Sequence, residues 1–275
     1  MDLIPFYKMS GSGNDFIVID NRNGLVTVSD LPPFVAKVCR RRLSVGADGL
    51  ILIEPSARVD FSWRFFNADG SVAEMCGNGA RCAARFAHLT GIAKADMAFD
   101  TLAGTITAQV RGDQVRIGMS APRDIFMEQT IDLATGPLTL DHINTGVPHA
   151  VITVPDVDAV DLDTLGRAVR HHSRFAPAGT NVNVIAPRGA GLWAIRTYER
   201  GVEGETLACG TGVVAAALVL ALRHGLPSPV ILATRGGSHL KVHFQRIGHL
   251  LSGFGLEGDA RVIYQGRLCP EAWAY

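Results

Sequence analysis

Two cysteines stand in the same local sequence, and their surroundings suit acid–base chemistry. Cys76 opens the segment CGNGARCAARFA and Cys209 opens CGTGVVAAALVL, so both read C-G-x-G-x-x-x-A-A. In each case a polar loop runs into an alanine-rich stretch with helical character, which places the cysteine at a helix N-terminus. The unpaired N–H groups and positive dipole end there favour thiolate over thiol, and the glycines let an anion approach the backbone. The pattern therefore predicts two thiols, each beside an anion-binding backbone.

Two thiols on opposite sides of one bound anion would suit the inversion of a carbon stereocentre. One thiolate removes the α-proton from one face, the opposite thiol delivers a proton to the other face, and the roles exchange in the reverse direction. If two similar halves face each other, the helix N-termini would stabilise the charge that develops on the carboxylate. Such chemistry requires neither a metal nor pyridoxal in a dry, preorganised cleft, so we expect no cofactor and no metal site.

The two cysteine segments belong to a longer internal repeat with an offset of 133 residues. Three further pairs of segments match, the last with a slip of one residue: 12–13 with 145–146, Gly46 with Gly179, and 64–67 with 196–199. We interpret them as a tandem duplication of a unit of roughly 130 residues, which is too long for a solenoid repeat and indicates two similar domains.

Each repeat has the same order of expected elements. A turn leads to an apolar strand, a helix, two more strands, the Cys–Gly turn and an alanine-rich helix. The first strands, helices and second strands are expected at 16–20, 31–41 and 50–54, and at 150–154, 161–172 and 181–186. The stretch 213–222 is apolar all round and should be buried on all sides. This order predicts an α+β fold in which several strands surround one apolar helix in each half.

The composition excludes several classes of protein. The 275 residues include 26 basic and 26 acidic side chains, with 47% hydrophobic and 19% charged residues. A disordered chain would have more charge, and a nucleic-acid binder would have a basic excess. The longest apolar run is too short to span a bilayer, and MDLIPF lacks the basic segment of a signal peptide. Five sparse cysteines do not suggest a disulfide framework, so we expect a cytoplasmic protein with no nucleic-acid or membrane partner.

Other residue patterns have simpler structural explanations. Cys39, Cys82 and Cys269 are interpreted as small buried apolar residues. The spacing of Cys76 and Cys82 does not match a zinc signature. The nine histidines form no H-E-x-x-H, and G-x-x-x-x-G-K-[ST] is absent from the sequence.

Polar residues near the cysteine helices are candidates for substrate recognition. Three asparagines in expected turns, where asparagine is structural about half of the time, belong to this set: Asn14, Asn67 and Asn181. Glu199 and Arg200 form an adjacent acid and base in the loop before Cys209 and could bind an ammonium and a carboxylate. His149 occupies the repeat position of Phe16, so one half has gained an ionisable group. Either His149 or Glu199 could tune a thiol.

Six motifs together resemble the diaminopimelate epimerase family: GSGNDF, FFNADGS, MCGNGARC, TGVPH, GTNVNV and YERGVEGETLACGTG. The resemblance extends from Met9 to about Gly258. It implies a cofactor-independent epimerase that converts LL- to meso-2,6-diaminopimelate on the route to lysine and peptidoglycan. It also implies two pseudo-symmetric domains, each a β-roll around a central helix, usually in a homodimer. We place these domains at 1–120, joined by a returning strand at 263–275, and at 121–262.

The resemblance also implies roles for individual residues. The two catalytic positions correspond to Cys76 and Cys209. The backbone cradle for the carboxylate corresponds to Gly77, Asn78, Gly210 and Thr211. Positions that contact the substrate's amino and carboxylate groups correspond to Asn14, Asn67, Asn181, Glu199 and Arg200. The pair that modulates the thiols corresponds to His149 and Glu199. Gly49 stands where some members have Gln, and Val147 where some have Asn, so one side-chain hydrogen bond is lost or replaced at each position.

Four alternatives remain open from the sequence. A cofactor-free racemase of proline or histidine would keep both cysteines but would not need Arg200, Asn67 and Asn181 for a second carboxylate. An isomerase of the phenazine-biosynthesis type would lack the paired thiols. A thiol redox protein could form a Cys76–Cys209 disulfide, although the expected C-x-x-C is absent. A purely structural or binding protein predicts that Cys76→Ala is functionally silent.

Overall fold

The computed structural model describes residues 3–248 and 250–275, which divide into two structural units. Unit 1 comprises the chain up to Ile117 together with Gly258–Tyr275, and unit 2 is Gly118–Glu257. The sequence interpretation places the corresponding boundaries at 120/121 and 262/263. In the described ranges, no helix is both long and apolar enough to cross a membrane.

Unit 1 contains strands that surround one central helix. Its elements in chain order are β1 (Ile4–Gly11), β2 (Asn14–Asp20), α1 (Leu31–Val38), β3 (Gly49–Glu54), β4 (Phe61–Asn67), β5 (Val72–Ala73), α2 (Gly77–Leu89), β6 (Asp96–Thr101), β7 (Gly104–Arg111) and β8 (Gln114–Gly118). Strand β2 runs parallel to β3, with Phe16 opposite Gly49. Strand β3 is antiparallel to β4, with Leu50 opposite Phe66. Helix α2 packs against β1, β2, β3 and β7.

Unit 2 repeats this arrangement. Its elements are β9 (Arg123–Leu133), β10 (Gly136–Asn144), β11 (Pro148–Thr153), α3 (Leu162–Arg170), β12 (Asn181–Pro187), β13 (Leu192–Glu199), β14 (Gly204–Thr206), α4 (Gly210–His224), β15 (Val230–Ala233), β16 (His239–Ile247) and β17 (Leu250–Asp259). Parallel β11 and β12 align His149 with Asn181, and antiparallel β12 and β13 align Val182 with Tyr198. These registers match those of unit 1 with the one-residue slip seen in the sequence. The predicted α+β fold with an internal duplication is confirmed.

The last strand, β18 (Arg261–Leu268), returns to unit 1. It pairs antiparallel with β1, so that Phe6 lies opposite Gly266 and Ile4 lies opposite Leu268. The other side of β1 pairs with β2. Unit 1 is therefore built from two segments that are far apart in sequence.

The central helices are buried because their small side chains allow strands to approach closely. Every residue of α4 from Val213 to Ala221 is buried, which confirms the prediction for this part of the apolar stretch. Leu222 is the exception, with 38% of its surface exposed, because it lies in the last turn beside the exposed Arg223 and His224. A helix that is apolar all round needs such an enclosure to be stable in water.

Helices α1 and α3 cover equivalent strands but begin differently. Phe34 and Val38 of α1 pack in the core of unit 1, and Leu162 of α3 packs in the core of unit 2. The N-cap of α3 is Asp161, whose Oδ1 accepts a hydrogen bond from the Thr164 backbone N–H at 3.2 Å. The N-cap of α1 is Asp30, whose side chain makes no capping hydrogen bond. Of these two helices, α3 alone has a first-turn N–H bonded to the side chain of its N-cap residue.

Candidate active site

Both candidate cysteines are N-cap residues of the central helices. Cys76 precedes α2 and Cys209 precedes α4, each in an extended backbone conformation. An N-cap residue lies beside the unpaired N–H groups of the first helical turn, but only the Cys76 side chain makes a capping hydrogen bond to one of them. In unit 1 the Gly79 N–H donates to Cys76 Sγ at 3.4 Å. In unit 2 Cys209 Sγ lies 3.5 Å from Thr211 Oγ1, and 7% of the Cys209 surface is exposed.

Two predicted site residues of unit 1, Asn14 and Asn78, are in direct contact. Asn78 Nδ2 donates to Asn14 Oδ1 at 2.6 Å, and Asn14 Nδ2 donates to Asp48 Oδ2 at 3.1 Å. Asp48 in turn accepts a hydrogen bond from Arg41 at 3.0 Å. This series of hydrogen bonds fixes Asn14, at the start of β2, against the first turn of α2, where Cys76 is the N-cap.

A buried arginine of α2, Arg81, makes further hydrogen bonds beside Asn78 in unit 1. Its Nη2 donates to Ser12 Oγ at 2.7 Å and to Asn78 Oδ1 at 2.8 Å, and its Nε donates to the Asp259 carbonyl at 3.2 Å. Ser12 Oγ also donates to Asp259 Oδ1 at 3.1 Å. Burial lowers the pKa of Arg81, while the charges of Cys82, Asp259 and Cys76 oppose that shift. Arg81 therefore brings a cation into the electrostatic environment of Cys76 and orients Asn78.

Asn67 lies elsewhere in unit 1, at the exposed end of β4. Its Nδ2 donates to Ser71 Oγ at 3.0 Å, which closes a local turn. On the neighbouring strand Gly49 is its register partner. A side chain at Gly49 would overlap the Phe66 carbonyl and the Phe65 ring, so the backbone at this position accommodates glycine only.

The predicted residues His149 and Thr211 meet in unit 2. His149 Nε2 lies 2.9 Å from Thr211 Oγ1, and Thr145 Oγ1 donates to the Thr211 carbonyl at 2.9 Å. His149 is completely buried, and this burial lowers its pKa to about 3. His149 is consequently neutral near pH 7, so its local contribution is a hydrogen bond rather than a charge.

Asn181 fixes the loop that carries Arg200. Asn181 Nδ2 donates to the Pro148 carbonyl at 3.1 Å, and its Oδ1 accepts from the Arg200 backbone N–H at 2.8 Å. The Arg200 guanidinium lies 3.4 Å from the Ala178 carbonyl. Burial raises the pKa of Glu199, the preceding residue at the end of β13. Asn181 therefore acts on backbone geometry here, and Glu199 and Arg200 are adjacent half-buried residues of opposite charge type.

The remaining predicted positions differ in their local surroundings. Gly77 and Gly210 are the first residues of α2 and α4, and Gly210 faces Leu256. Val147 is half-buried in the turn between β10 and β11, and its carbonyl accepts from the Thr145 N–H at 3.1 Å. At Val147 this backbone contact is available to any residue type.

The other three cysteines are not alike. Cys39 and Cys82 are buried, and burial raises the pKa of each thiol to about 12, in agreement with a structural role. Cys269 is exposed, so its interpretation as a buried apolar residue is wrong. It follows β18 and precedes a short turn at Pro270–Ala272, while its neighbour Leu268 stays in the core. Among the residues described, no group of three or more His, Cys, Asp or Glu side chains could hold a metal ion.

Two buried polar residues near the helices were missed at the sequence level, Arg81 in unit 1 and Asn183 in unit 2. Asn183 Nδ2 lies 3.1 Å from His149 Nδ1. Each is a polar residue whose immediate neighbours are small or apolar, Arg81 within GARCAA and Asn183 within VNVIA. That mismatch was the available signal, because a buried polar side chain requires partners.

Comparison with known proteins places the chain among epimerases. The family model described as diaminopimelate epimerase matches residues 6–124 and 142–255. A protein named diaminopimelate epimerase from Aquifex aeolicus is 45% identical over 287 residues, covering 99% of this chain and 100% of that protein. One of the same name from Chlorobaculum tepidum is 44% identical over 265 residues, covering 94% and 99%.

Solved structures share the fold at low sequence identity. A phenazine biosynthesis protein of the PhzF family from Bacillus anthracis has a TM-score of 0.73 at 14% identity, covering 98% of this chain and 100% of that chain. A probable proline racemase from Agrobacterium radiobacter has a TM-score of 0.67 at 16% identity, covering 98% and 93%. These likenesses concern the fold alone, since the identities are so low.

Proposed function

This chain belongs to the diaminopimelate epimerase family, and from that premise we propose that it interconverts LL- and meso-2,6-diaminopimelate with Cys76 and Cys209 as its two acid–base groups. The chain is an isomerase. The observation that carries the proposal is the repeated placement of one cysteine at the N-terminus of the central helix of each unit. A structural role would not require the same residue at the same cap in both copies.

The reaction is a proton exchange at one carbon. One cysteine, as thiolate, takes the α-proton and becomes a thiol, and the other, as thiol, gives a proton to the opposite face and becomes a thiolate. No atom or electron is lost, and the reverse reaction exchanges the two roles. Negative charge spreads from the α-carbon onto the adjacent carboxylate, where backbone N–H groups can stabilise it without rearranging. The N–H groups assigned to this task belong to Gly77, Asn78, Gly210 and Thr211.

Recognition of the second amino-acid end is the role that we propose for the remaining polar residues. Arg200 offers a planar guanidinium that can bind a carboxylate through two hydrogen bonds. Asn14, Asn67, Asn181 and Glu199 offer amide and carboxylate groups for the amino and carboxylate groups of the substrate. Support comes from Asn181, whose amide holds the backbone of Arg200 in place. A substrate with one amino-acid end would leave part of this set unused.

Three further properties belong to the same proposal. The enzyme works without a cofactor in the cytoplasm, where it supplies lysine and peptidoglycan biosynthesis. Its partner is a second copy of the chain, as the family resemblance implies. Light scattering should then give twice the mass of the 29.4 kDa chain, and a mass equal to one chain would refute the homodimer.

Proton NMR in D2O tests the activity directly. Reduced enzyme with LL-2,6-diaminopimelate should exchange the α-proton for deuterium while the meso isomer appears. Proline, histidine and glutamate serve as comparison substrates and should not exchange. Exchange of proline but not of diaminopimelate would refute the substrate and keep the mechanism. No exchange with any of the four amino acids under reducing conditions would refute the two-thiol reaction.

A further inference from the structure

Asn183 is a fully buried polar residue in the middle of β12, between Val182 and Val184. Its Nδ2 lies 3.0 Å from the Ala150 carbonyl and 3.1 Å from His149 Nδ1. Its Oδ1 accepts from Thr197 Oγ1 at 2.9 Å. A buried amide with all of these contacts made is rigid, since losing any of them leaves a polar atom without a partner.

The orientation of the Asn183 amide follows from the chemistry of its neighbours. A backbone carbonyl can only accept, so the atom of Asn183 that faces the Ala150 oxygen must be the NH2 group. The same NH2 group faces His149 Nδ1, and it has a second hydrogen for that contact. His149 Nδ1 is therefore the acceptor and carries no proton.

The protonation of His149 follows in turn. Burial lowers the pKa of the ring to about 3, so the ring is neutral and has one N–H. Because Nδ1 accepts from Asn183, that hydrogen is on Nε2. The titratable or charged groups that act on the ring are His142 of β10 and Arg200 after β13, and both disfavour the protonated form. Asn183 thus sets which tautomer is present.

The tautomer decides the direction of the next two hydrogen bonds. His149 Nε2–H donates to Thr211 Oγ1 across 2.9 Å. The threonine hydroxyl accepts that bond, so its own hydrogen is available to Cys209 Sγ at 3.5 Å. The Thr145 hydroxyl anchors the Thr211 carbonyl and so keeps this residue in place. A hydroxyl that donates to sulfur favours thiolate over thiol.

We propose that Asn183 is a positioning residue for Cys209: by fixing the Nε2–H tautomer of His149, it makes the Thr211 hydroxyl a donor to the Cys209 sulfur. The proposal rests on the proposed function for its catalytic meaning. Packing supports it, because any side chain at Gly212 would overlap Asn183 Oδ1 and crowd the His149 ring, so glycine lets the relay lie against the first turn of α4.

The first test reads the tautomer of the intact protein by long-range 1H–15N NMR at pH 7.5. His149 is identified among the nine histidines by the signal missing from His149→Gln. The proposal expects the Nε2–H pattern for this ring. An Nδ1–H or a protonated ring would overturn it.

The second test measures the alkylation rates of Cys209 and Cys76 by iodoacetamide, using peptide mass spectrometry at pH 7.5. Asn183→Asp puts a carboxylate acceptor beside Nδ1 and should reverse the tautomer, so that Thr211 donates to His149 instead of sulfur. We expect Cys209 to be alkylated about tenfold more slowly and Cys76 at its usual rate, as for the loss of one hydrogen bond to a charged group. An equal slowing of both cysteines, or of neither, would overturn the proposal.

Three further variants distinguish the loss of the relay from a loss of folding. Thr211→Val removes the final hydroxyl and should slow Cys209 alone, whereas Thr211→Ser keeps the hydroxyl and should retain the rate. Thr197→Val is the matched control, since it deletes the hydrogen bond on the oxygen side of the Asn183 amide and should leave the tautomer unchanged. Slowing by Thr211→Ser as large as that by Thr211→Val would contradict the relay. Neither test uses diaminopimelate, so a protein inactive on that substrate could still pass both.

Discussion

The two cysteine sites share a backbone but differ in the source of their polar groups. In unit 1 a side chain at Gly79 would meet Phe16 and Ile51, and in unit 2 a side chain at Gly212 would meet His149 and Asn183. The sheet beneath the cysteine helix is therefore apolar in unit 1 and polar in unit 2.

The two cysteine helices show the reverse difference, since a buried charged residue lies on the helix of unit 1 and an apolar residue takes its place in unit 2. Arg81 supplies a buried cation to unit 1, whereas the corresponding position of unit 2 is the apolar Val214. Duplicated sites have thus acquired hydrogen-bond donors from different layers, the helix in one copy and the sheet in the other. In the proposed reaction the two cysteines exchange roles, and their unequal surroundings are compatible with this because a buried cation and the proposed neutral relay would both favour a thiolate.

The largest effect is expected from substitutions that remove the sulfur atoms of the two cysteines. Cys76→Ala and Cys209→Ala should each reduce epimerisation by about 10²–10⁴-fold, the range expected for loss of one acid–base group. Activity is measured by NMR as meso product from the LL isomer. Cys82→Ala is the control, since this buried thiol lies on the same helix as Cys76 but outside the proposed machinery, and it should keep its activity. An active Cys209→Ala variant would mean that the two units do not share the reaction.

Removing the cation of unit 1 should affect stability most. Arg81→Met leaves Ser12 Oγ, Asn78 Oδ1 and the Asp259 carbonyl without a buried donor, and each such unsatisfied acceptor costs about 1–3 kcal/mol of unfolding free energy. Urea denaturation measures the loss. Alkylation of Cys76 should slow while that of Cys209 does not change.

Arg85→Met on the same helix provides the comparison for Arg81→Met. Arg85 is only half-buried, and its substitution should cost clearly less. Equal losses for the two variants would show that the Arg81 network contributes nothing special to unit 1.

The next largest effect should be on the pH dependence of the unfolding free energy, to which the buried His149 of unit 2 contributes. The folded-state pKa of His149 is about 3, below the 6.5 of an unfolded histidine, so the unfolded chain binds the extra proton between these values. The contribution is therefore complete above pH 6.5 and is lost as pH falls towards 3. From pH 6.5 to 5.0 wild type should lose about 2 kcal/mol more unfolding free energy than His149→Gln. Parallel urea-derived curves for the two proteins over this interval would contradict a buried neutral His149.

The smallest expected difference lies at the N-caps of α1 and α3. Asp161→Ala removes the hydrogen bond to the Thr164 N–H and should cost about 1 kcal/mol of stability. Asp30→Ala removes a side chain that makes no capping bond and should cost only about a few tenths of a kcal/mol of stability. Thermal or urea unfolding of the pair checks the ranking, and a larger loss for Asp30→Ala would reverse it.

Local pattern was enough to predict much of this molecule. The repeat, the strand–helix order and the positions of Cys76 and Cys209 at helix N-termini follow from apolar periodicity and from the Cys–Gly segments, which are properties of adjacent residues. Confirmation of the α+β duplication rests on the repeated registers of β2–β3 and β11–β12. The roles of Asn14, Asn67 and Arg200 in binding substrate stay predictions.

Partners distant in sequence were beyond the reach of such patterns. Arg81 meets Asp259 across a separation of 178 residues, and no local rule pairs them. Asn183 and His149 lie on adjacent strands whose register becomes known only once the sheet is formed. Exposure at element ends was missed for a related reason, since Leu222 and Cys269 are apolar residue types at the end of a helix and just after a strand.

The return of β18 to β1 has a consequence for how the chain is made. Translation delivers β1 first and β18 last, with the whole of unit 2 synthesised between them. The nascent protein therefore presents an open edge at β1 while unit 2 already has its complete sequence outside the ribosome. An exposed strand edge can pair with other chains. The unit that begins first is thus the last to have all of its strands available, and the edge of β1 stays open until β18 has been made.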